Sequence, residues 1–229
     1  MKEFTWLIGF LFLFNSILST SEIPIPIIKA AEKYRSEREK LKTYQVEQEI
    51  LTTTIVQNTS ESQTEKRKQI GYFVSPNKYY FLIKEKKING IEQEIYGNLE
   101  KTERQKNDWL SKNGMSLFRF QVISYHDNFI KYSVTPKQTK SHKNEKGEIW
   151  IRLKDYRIKK IISEPVLLGK EIQSYQLSLN FEDELEFQEP SQSILNVVLR
   201  EKDTIKKIRI QADFRKYKFN TPIPSSITR

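Results

Sequence analysis

The sequence predicts a mainly β protein of the α+β class, built on one strongly curved antiparallel sheet. Apolar and polar residues alternate in segments that recur along most of the chain, which gives each predicted strand one apolar and one polar face. The clearest segment is Lys146 to Ile162, KGEIWIRLKDYRIKKII, whose alternation breaks only at Lys154 and Asp155, so we expect a β-hairpin there. Roughly ten to twelve strands with two or three helices would form a curved sheet or a barrel, because a flat sheet of that width curls or splits.

The first elements of the domain follow from local patterns. Ile27 to Lys42 carries apolar side chains along one side and charged ones around the rest, which predicts a single N-terminal helix. Thr43 to Val56 is rich in threonine, valine and isoleucine and predicts a long strand. The segment Gln57 to Lys66 that follows contains turn-forming residues and is predicted to be a polar loop.

Two turn signals organise the next segment. Ser75-Pro76-Asn77 suits a turn between the strands Gln69 to Val74 and Lys78 to Lys84. Asn89-Gly90 is a strong hairpin signal, and Ile91 to Tyr96 is predicted to be its return strand.

The stretch between Asn98 and Asn113 is charged, and its large apolar residues are Leu99, Trp109 and Leu110. This one-sided apolarity favours a short amphipathic helix over the mouth or flank of the sheet. A surface loop is the alternative.

From Leu117 onward the alternation is regular, and each strand has a predicted apolar side. The apolar positions are Phe118, Phe120 and Val122; Ile130, Tyr132 and Val134; Tyr175, Leu177, Leu179 and Phe181; and Ile208, Ile210 and Ala212.

The N-terminus predicts export. Lys2 precedes an apolar run of about 11 residues from Phe4 to Phe14, and Asn15 to Ser21 is small and polar, which is the layout of a secretory signal peptide. We expect residues 1–21 to be removed by cleavage after Ser21, leaving 22–229 as one soluble periplasmic domain. An uncleaved anchor is the alternative. Because the chain has no cysteine, it predicts neither disulfides nor a lipid-modified cysteine.

The formal net charge of +10 is spread over several lysine-rich segments instead of one arm. Spread charge is typical of a solvated surface, and it does not predict nucleic-acid binding. It is compatible with transient contact with an anionic lipid surface.

The sequence contains no recognisable catalytic constellation. His126 and His142 have no partner at metal-ligand spacing and are expected at the surface. The acidic cluster Glu182, Asp183, Glu184 and Glu186 lacks the ligand spacing of a calcium loop and is expected to be a solvated turn. We find no nucleophile elbow, zinc-protease helix or phosphate-binding glycine loop. We therefore predict no catalytic residue, metal or cofactor, and a hydrolase acting on envelope polymer is disfavoured.

One succession of motifs runs through the chain after the helix and the long strand. Its members are GYFVSPNKYYF at Gly71 to Phe81, YSVTPK at Tyr132 to Lys137, GEIWI at Gly147 to Ile151, YRI at Tyr156 to Ile158, and DFRKY at Asp213 to Tyr217. This succession, from about Ile27 to Pro224, resembles the outer-membrane lipoprotein carrier (LolA-like) superfamily. The resemblance implies an unclosed β-barrel with the N-terminal helix and one or two short helices on its concave side, holding acyl chains in an apolar cavity.

The predicted apolar face supplies the candidate lining of that cavity, because few helices are available to cover it. The candidate ligand-binding residues are Phe118, Phe120, Val122, Ile130, Tyr132, Ile149, Ile151, Tyr175, Leu177 and Leu179. In the alternative interpretation, Phe118, Phe120, Tyr175 and Leu177 pack against the predicted helix as ordinary core.

The sequence thus predicts a monomeric periplasmic carrier or chaperone that sequesters the acyl chains of a lipid or lipoprotein and serves outer-membrane biogenesis. The alternative function is a ligand-sensing regulatory module of the cell envelope, read by a partner protein, as in the sigma-factor regulators similar to this fold.

Overall fold

The protein is described here by a computed structural model that covers residues 23–57, 59, 61–95, 99–103, 108–138 and 145–228. The predicted signal peptide and His142 lie outside these residues. The helices are α1 (Ile25–Lys40) and α2 (Ser225–Thr228), and 3₁₀ turns span Asp108–Leu110 and Gly114–Leu117. The strands are β1 (Thr43–Gln57), β2 (Ser62–Val74), β3 (Lys78–Ile88), β4 (Ile91–Glu92), β5 (Leu99–Glu103), β6 (Phe118–His126), β7 (Phe129–Pro136), β8 (Glu145–Arg152), β9 (Ile158–Pro165), β10 (Ile172–Phe181), β11 (Pro190–Glu201) and β12 (Thr204–Phe219).

All twelve strands belong to one antiparallel sheet. Its order is β4-β3-β2-β1-β12-β11-β10-β9-β8-β7-β6, and β5 pairs with β3 beside β4. The two ends of this order are not paired with each other, so the sheet does not close into a barrel. The predicted fold class, an unclosed antiparallel sheet with few helices, is confirmed. No helix in the described ranges has the length and apolar character needed to cross a bilayer.

Helix α1 is shifted towards the N-terminus relative to the prediction of Ile27 to Lys42. Pro24 precedes it and Pro26 lies in its first turn, where a missing amide proton leaves no hydrogen bond unmade. At the other end Leu41 has an extended backbone. Ile27, Ala30 and Ala31 are fully buried, so the apolar side of the helix lies on the sheet. We call this side of the sheet the inner face.

Strand β2 starts at Ser62, within the segment Gln57 to Lys66 that was predicted to be a loop. Its first residues are mostly exposed on both faces, so they show no apolar alternation. Their backbone nevertheless pairs along β1, from Ile55 opposite Ser62 onward. The return strand predicted at Ile91 to Tyr96 is likewise shorter, because only Ile91 and Glu92 pair with β3, and Tyr96 lies outside the described residues.

The helix favoured for the charged stretch after Asn98 is absent from the part that the structure describes, residues 99–103 and 108–113. Leu99–Glu103 pairs with β3 as β5 instead. Beyond it, the 3₁₀ turn Asp108–Leu110 buries Trp109 and Leu110 against the core that includes α1. Trp109 and Leu110 therefore cover the inner face from a turn, whereas Leu99 is partly exposed on β5.

Three clusters of buried side chains hold the fold together. The largest joins α1 and Trp109 to strands β6 to β10. A second, rich in aromatic residues, lies where α1 leads into β1 and includes Leu41, Tyr44 and Phe73. In the third, Ile227 of α2 packs on Tyr72 and Tyr80.

An ion pair organises the turn between β8 and β9, next to α1. Arg152 donates from Nε and Nη2 to the two carboxylate oxygens of Asp155, both at 2.8 Å, and the backbone amide of Arg157 donates to Oδ1 at 3.3 Å. The hydrogen bonds from Arg152 lower the pKa of Asp155 to about 2. Lys33 of α1 donates to the backbone carbonyl of Asp155 at 3.1 Å, so the same turn holds the helix.

We expect Asp155→Asn to destabilise the protein by about 1 kcal/mol at neutral pH, a value discounted because the carboxylate is partly exposed to solvent. A carboxylate with a lowered pKa in the folded state contributes stability above its ordinary pKa, near 4, and loses it as pH falls towards 2. The difference in free energy of unfolding between wild type and variant should therefore disappear between about pH 4 and pH 2. Urea unfolding across this range measures it, and a difference that persists at pH 2 would contradict the assignment.

Candidate ligand-binding groove

Seven of the ten candidate lining residues lie in the largest core cluster. They are Phe118, Phe120, Ile130, Tyr132, Ile149, Ile151 and Leu179, and all are buried. The same cluster contains Ile27, Ala30 and Ala31 of α1, so these side chains pack with the helix. Burial, together with the nearby Tyr125, raises the pKa of Tyr132 to about 12, as expected for a phenol inside this core.

The other three candidates lie elsewhere. Leu177 is partly buried at the margin of the same cluster, and Tyr175 is half-buried one row further along β10. Val122 is 44% exposed. It lies on β6, the last strand of the sheet, where a register shift between Val122 and Ser124 interrupts the alternation. The structure therefore separates the ten residues into a packed core, a half-buried margin and an exposed edge.

A strip of half-buried apolar side chains continues from that margin across β10, β11 and β12. In the first row, Leu195 of β11 lies between Leu177 of β10 and Ile210 of β12. In the next row, Val197 of β11 lies between Tyr175 of β10 and Ile208 of β12. Directly opposed residues share a face of an antiparallel sheet, so all six lie on the inner face with Leu179. We call these six residues the groove: Tyr175, Leu177, Leu195, Val197, Ile208 and Ile210.

The groove is open in the described part of the chain. Apart from Leu177, none of its residues belongs to or packs against the three core clusters, and all six keep intermediate exposure. Adjacent strands lie about 4.8 Å apart and alternate residues advance by about 7 Å, so the strip is three strands wide and roughly two rows long. One row further, Ile172 lies opposite Leu199, and this pair extends the apolar strip towards the turn between β9 and β10. Such a surface can accommodate an extended hydrocarbon.

Polar side chains bound the groove on the side of β1 and β2. Ile210 lies opposite Thr52 and Ile208 opposite Thr54, so the apolar floor ends at β1. Beyond it, Arg67 forms ion pairs with Glu65 at 3.1 Å and with Glu100 at 3.2 Å. Because these charges are paired with one another, the margin is polar without a strong net charge.

The wall opposite is formed by Trp109 over β8. A side chain at Gly147 would place its Cβ within 2.9 Å of the Trp109 ring and 1.9 Å of the Ile162 carbonyl oxygen, so only glycine fits beneath the indole. The ring of Trp109 also packs near Phe118, with centroids 6.3 Å apart. Trp109 thus closes the inner face beside the groove.

A buried ion pair lies away from the groove, where α1 meets the segment before β11. Arg38 contacts Glu189 at 2.7 Å, and the Glu189 side chain is only 2% exposed. Burial opposes the charge of Arg38, but Glu189 and nearby tyrosines outweigh it and hold the pKa of Arg38 above its ordinary value. Burial and the Glu189 charge also raise the pKa of Tyr44. The side chains around this recess leave no room for a lipid chain.

The acidic turn predicted around Glu182 to Glu186 is linked to α1 through Arg157. Arg157 donates to the carbonyl oxygens of Asp183, Leu185 and Glu186 at 3.1, 2.6 and 3.0 Å, and it pairs with Glu37 of the helix at 3.3 Å.

No group of side chains able to hold a metal ion occurs among the residues that the structure describes. His126 is exposed.

The candidate set from the sequence omitted four groove residues. Ile208 and Ile210 were recognised as the apolar side of a strand but were not assigned to the site. Leu195 and Val197 lie in SILNVVL, where both alternating sets contain apolar residues, so alternation alone does not distinguish the faces. The signal that could have found them is pairing, since β11 lies between β10 and β12.

No protein-family model matches the chain, and no curated protein matches it in sequence. Solved structures that match it include a LolA superfamily protein from Nitrosomonas europaea, with 13% identity over 89% of this chain and 97% of that one and a TM-score of 0.43. An outer-membrane lipoprotein-sorting protein domain from Vibrio parahaemolyticus matches with 12% identity over 87% and 94% and a TM-score of 0.44. A DUF1329 family protein from Desulfovibrio piger matches with 7% identity over 88% and 96% and a TM-score of 0.37.

Members of the LolA superfamily, which the sequence resembles, are thus among the matching structures. At these identities and TM-scores the matches carry no conclusion about ligand or function, which we infer from the side chains of this chain.

Proposed function

We propose that the protein is a periplasmic carrier that binds an acyl chain of a lipid or lipoprotein along the groove. The observation that carries this proposal is the half-buried apolar strip on the inner face, which continues the core but is left uncovered by α1 and Trp109. Covering apolar surface is favourable by about 25 cal/mol per Å², or about 0.8 kcal/mol for each buried methylene. A hydrocarbon chain therefore gains affinity with each carbon that it lays on the strip.

The composition of the groove favours a hydrocarbon over a polar ligand. Five of its six side chains are aliphatic, and the sixth is Tyr175. A ligand with polar groups would lose hydration there without regaining hydrogen bonds, which is costly. The threonines of β1 and the paired charges around Arg67 place a group of polar side chains along the β1 side. An amphiphile with its chain on β10 to β12 and its polar end towards β1 and β2 matches this arrangement.

An open strip also suits a carrier. A ligand lying on an accessible face can enter and leave sideways without unfolding of the sheet, and its affinity is limited because one side of the chain stays near water. Core residues such as Ile149 and Ile151 support the strip from within the adjoining cluster. Binding and release in this scheme require no catalytic group.

The test is mass spectrometry of an organic extract from the purified mature protein. We expect an amphiphile with one or more acyl chains, near one molecule per protein, and rebinding of a fluorescent fatty acid after the extract has been removed. A protein that yields no lipid and binds no fatty acid contradicts the proposal. If it instead purifies with a stable protein partner, the regulatory module becomes the better description.

A further inference from the structure

The turn between β9 and β10, residues 166–171, exposes two adjacent leucines. Leu167 is 39% exposed and Leu168 is 37% exposed. Exposed leucines alone are ordinary, but a pair that continues an apolar strip can form part of a contact surface. We call residues 166–171 the tip. A short apolar segment of this kind can insert among lipid headgroups.

The tip adjoins the end of the groove. Ile172, the first residue of β10, lies opposite Leu199, and the amide of Arg200 donates to the carbonyl oxygen of Glu171 at 2.7 Å. The tip and the turn between β11 and β12 are therefore joined. From the leucines, apolar side chains continue along β10 through Ile172 and Tyr175 into the groove.

The residues in and next to the tip carry a net positive charge. Residues 166–171 and 200–207 contain five basic side chains and three acidic ones. The basic residues are Lys170, Arg200, Lys202, Lys206 and Lys207, and the acidic ones are Glu171, Glu201 and Asp203. Lys206 is paired with Glu201 at 2.6 Å. Anionic headgroups attract basic residues near a membrane surface, so the charge complements a bilayer that contains acidic lipids.

We propose that the tip at Leu167 and Leu168 docks the protein on an anionic bilayer surface, with the groove opening towards the lipid. This inference rests on the proposed function for its ligand and adds a site of exchange: an acyl chain leaving the membrane would pass along Ile172 into the groove. The charges bring the protein to the surface, and the leucines hold it there.

Vesicle sedimentation tests the docking. The mature protein should sediment with vesicles of phosphatidylethanolamine and phosphatidylglycerol, more weakly with phosphatidylcholine vesicles, and less as salt is added. Changing both Leu167→Ser and Leu168→Ser should weaken binding by about tenfold or more, because each leucine loses its apolar contact with lipid. The matched control is Val122→Ser with Ile123→Ser, an adjacent apolar pair on β6 that is more exposed than the leucines but lies away from the groove end and its basic residues, and it should bind vesicles like wild type.

Fatty-acid binding in vesicle-free solution separates this inference from the proposed function. The double-serine tip variant should keep it, since the leucines lie outside the groove. Unchanged vesicle binding by the tip variant, an equal loss in the β6 control, or sedimentation only with vesicles that carry membrane proteins would each overturn the docking site and leave the groove standing.

Discussion

Val197→Asp should reduce binding of a fluorescent fatty acid by about a hundredfold or more while the protein remains folded. Val197 is the central residue of the second row of the groove, between Tyr175 and Ile208 on the neighbouring strands. A carboxylate at this position would have to lose its hydration beside the hydrocarbon, and the loss of a few kcal/mol corresponds to such a decrease in affinity. Since the valine side chain is already partly exposed, the free protein can keep the carboxylate hydrated.

The neighbouring residue supplies a matched control. Val198 has the same side chain on the same strand with intermediate exposure, but it lies opposite Ser174 and Lys207 on the outer face. Val198→Asp introduces the same charge and the same loss of β-propensity without touching the groove. Melting temperatures of the two variants should be similar, and only Val197→Asp should lose binding. Equal binding by both folded variants would contradict an acyl-binding groove.

Phe120 and Leu177 are less suitable for this experiment, and the structure explains why. Phe120 is buried in the cluster that holds α1, so Phe120→Glu would unfold the protein whether or not a ligand binds nearby. Leu177 packs at the margin of the same cluster. The distinction between core and groove depends on how far α1 and Trp109 reach across the inner face, which alternation along single strands does not reveal.

The strands themselves could be predicted because each has its own local signal. Alternation identified β6, β7, β8, β9, β10 and β12, and the turn residues placed the hairpin of β2 and β3. The pairing of β1 with β12 joins residues 148 to 175 positions apart, and no local pattern encodes it. The early part of β2 was missed because both of its faces are largely solvated, so its backbone pairs without an apolar pattern.

The covering of the inner face was the least predictable part. Trp109 lies in a charged stretch whose few apolar residues favoured a helix, and its burial depends on the distant strand β8. Gly147, within the otherwise regular strand β8, was the available clue, because a glycine inside a strand often marks a close approach by another group. Its partner could not be named from the sequence.

Trp109→Ala should destabilise the protein by about 3–5 kcal/mol, the range for removing a large aromatic side chain from a core. Trp109 is 1% exposed and packs in the cluster of α1, Phe118 and the β8 strand above Gly147. Because Gly147 has no side chain, the position beneath the indole cannot fill the space that the indole leaves. Urea unfolding of wild type and variant measures the change.

Trp150→Ala is the control, with the same substitution on the opposite face. Trp150 lies on β8 between Lys131 and Lys160, whose ammonium groups are 4.7 and 5.4 Å from its ring centroid, and it is only half-buried. The Trp150→Ala substitution should lower the free energy of unfolding by about 1 kcal/mol, because it removes cation–π contacts near the surface and leaves no enclosed cavity. If the two variants were equally stable, Trp109 would not be the side chain that closes the inner face, and the boundary between core and groove would have to be drawn elsewhere.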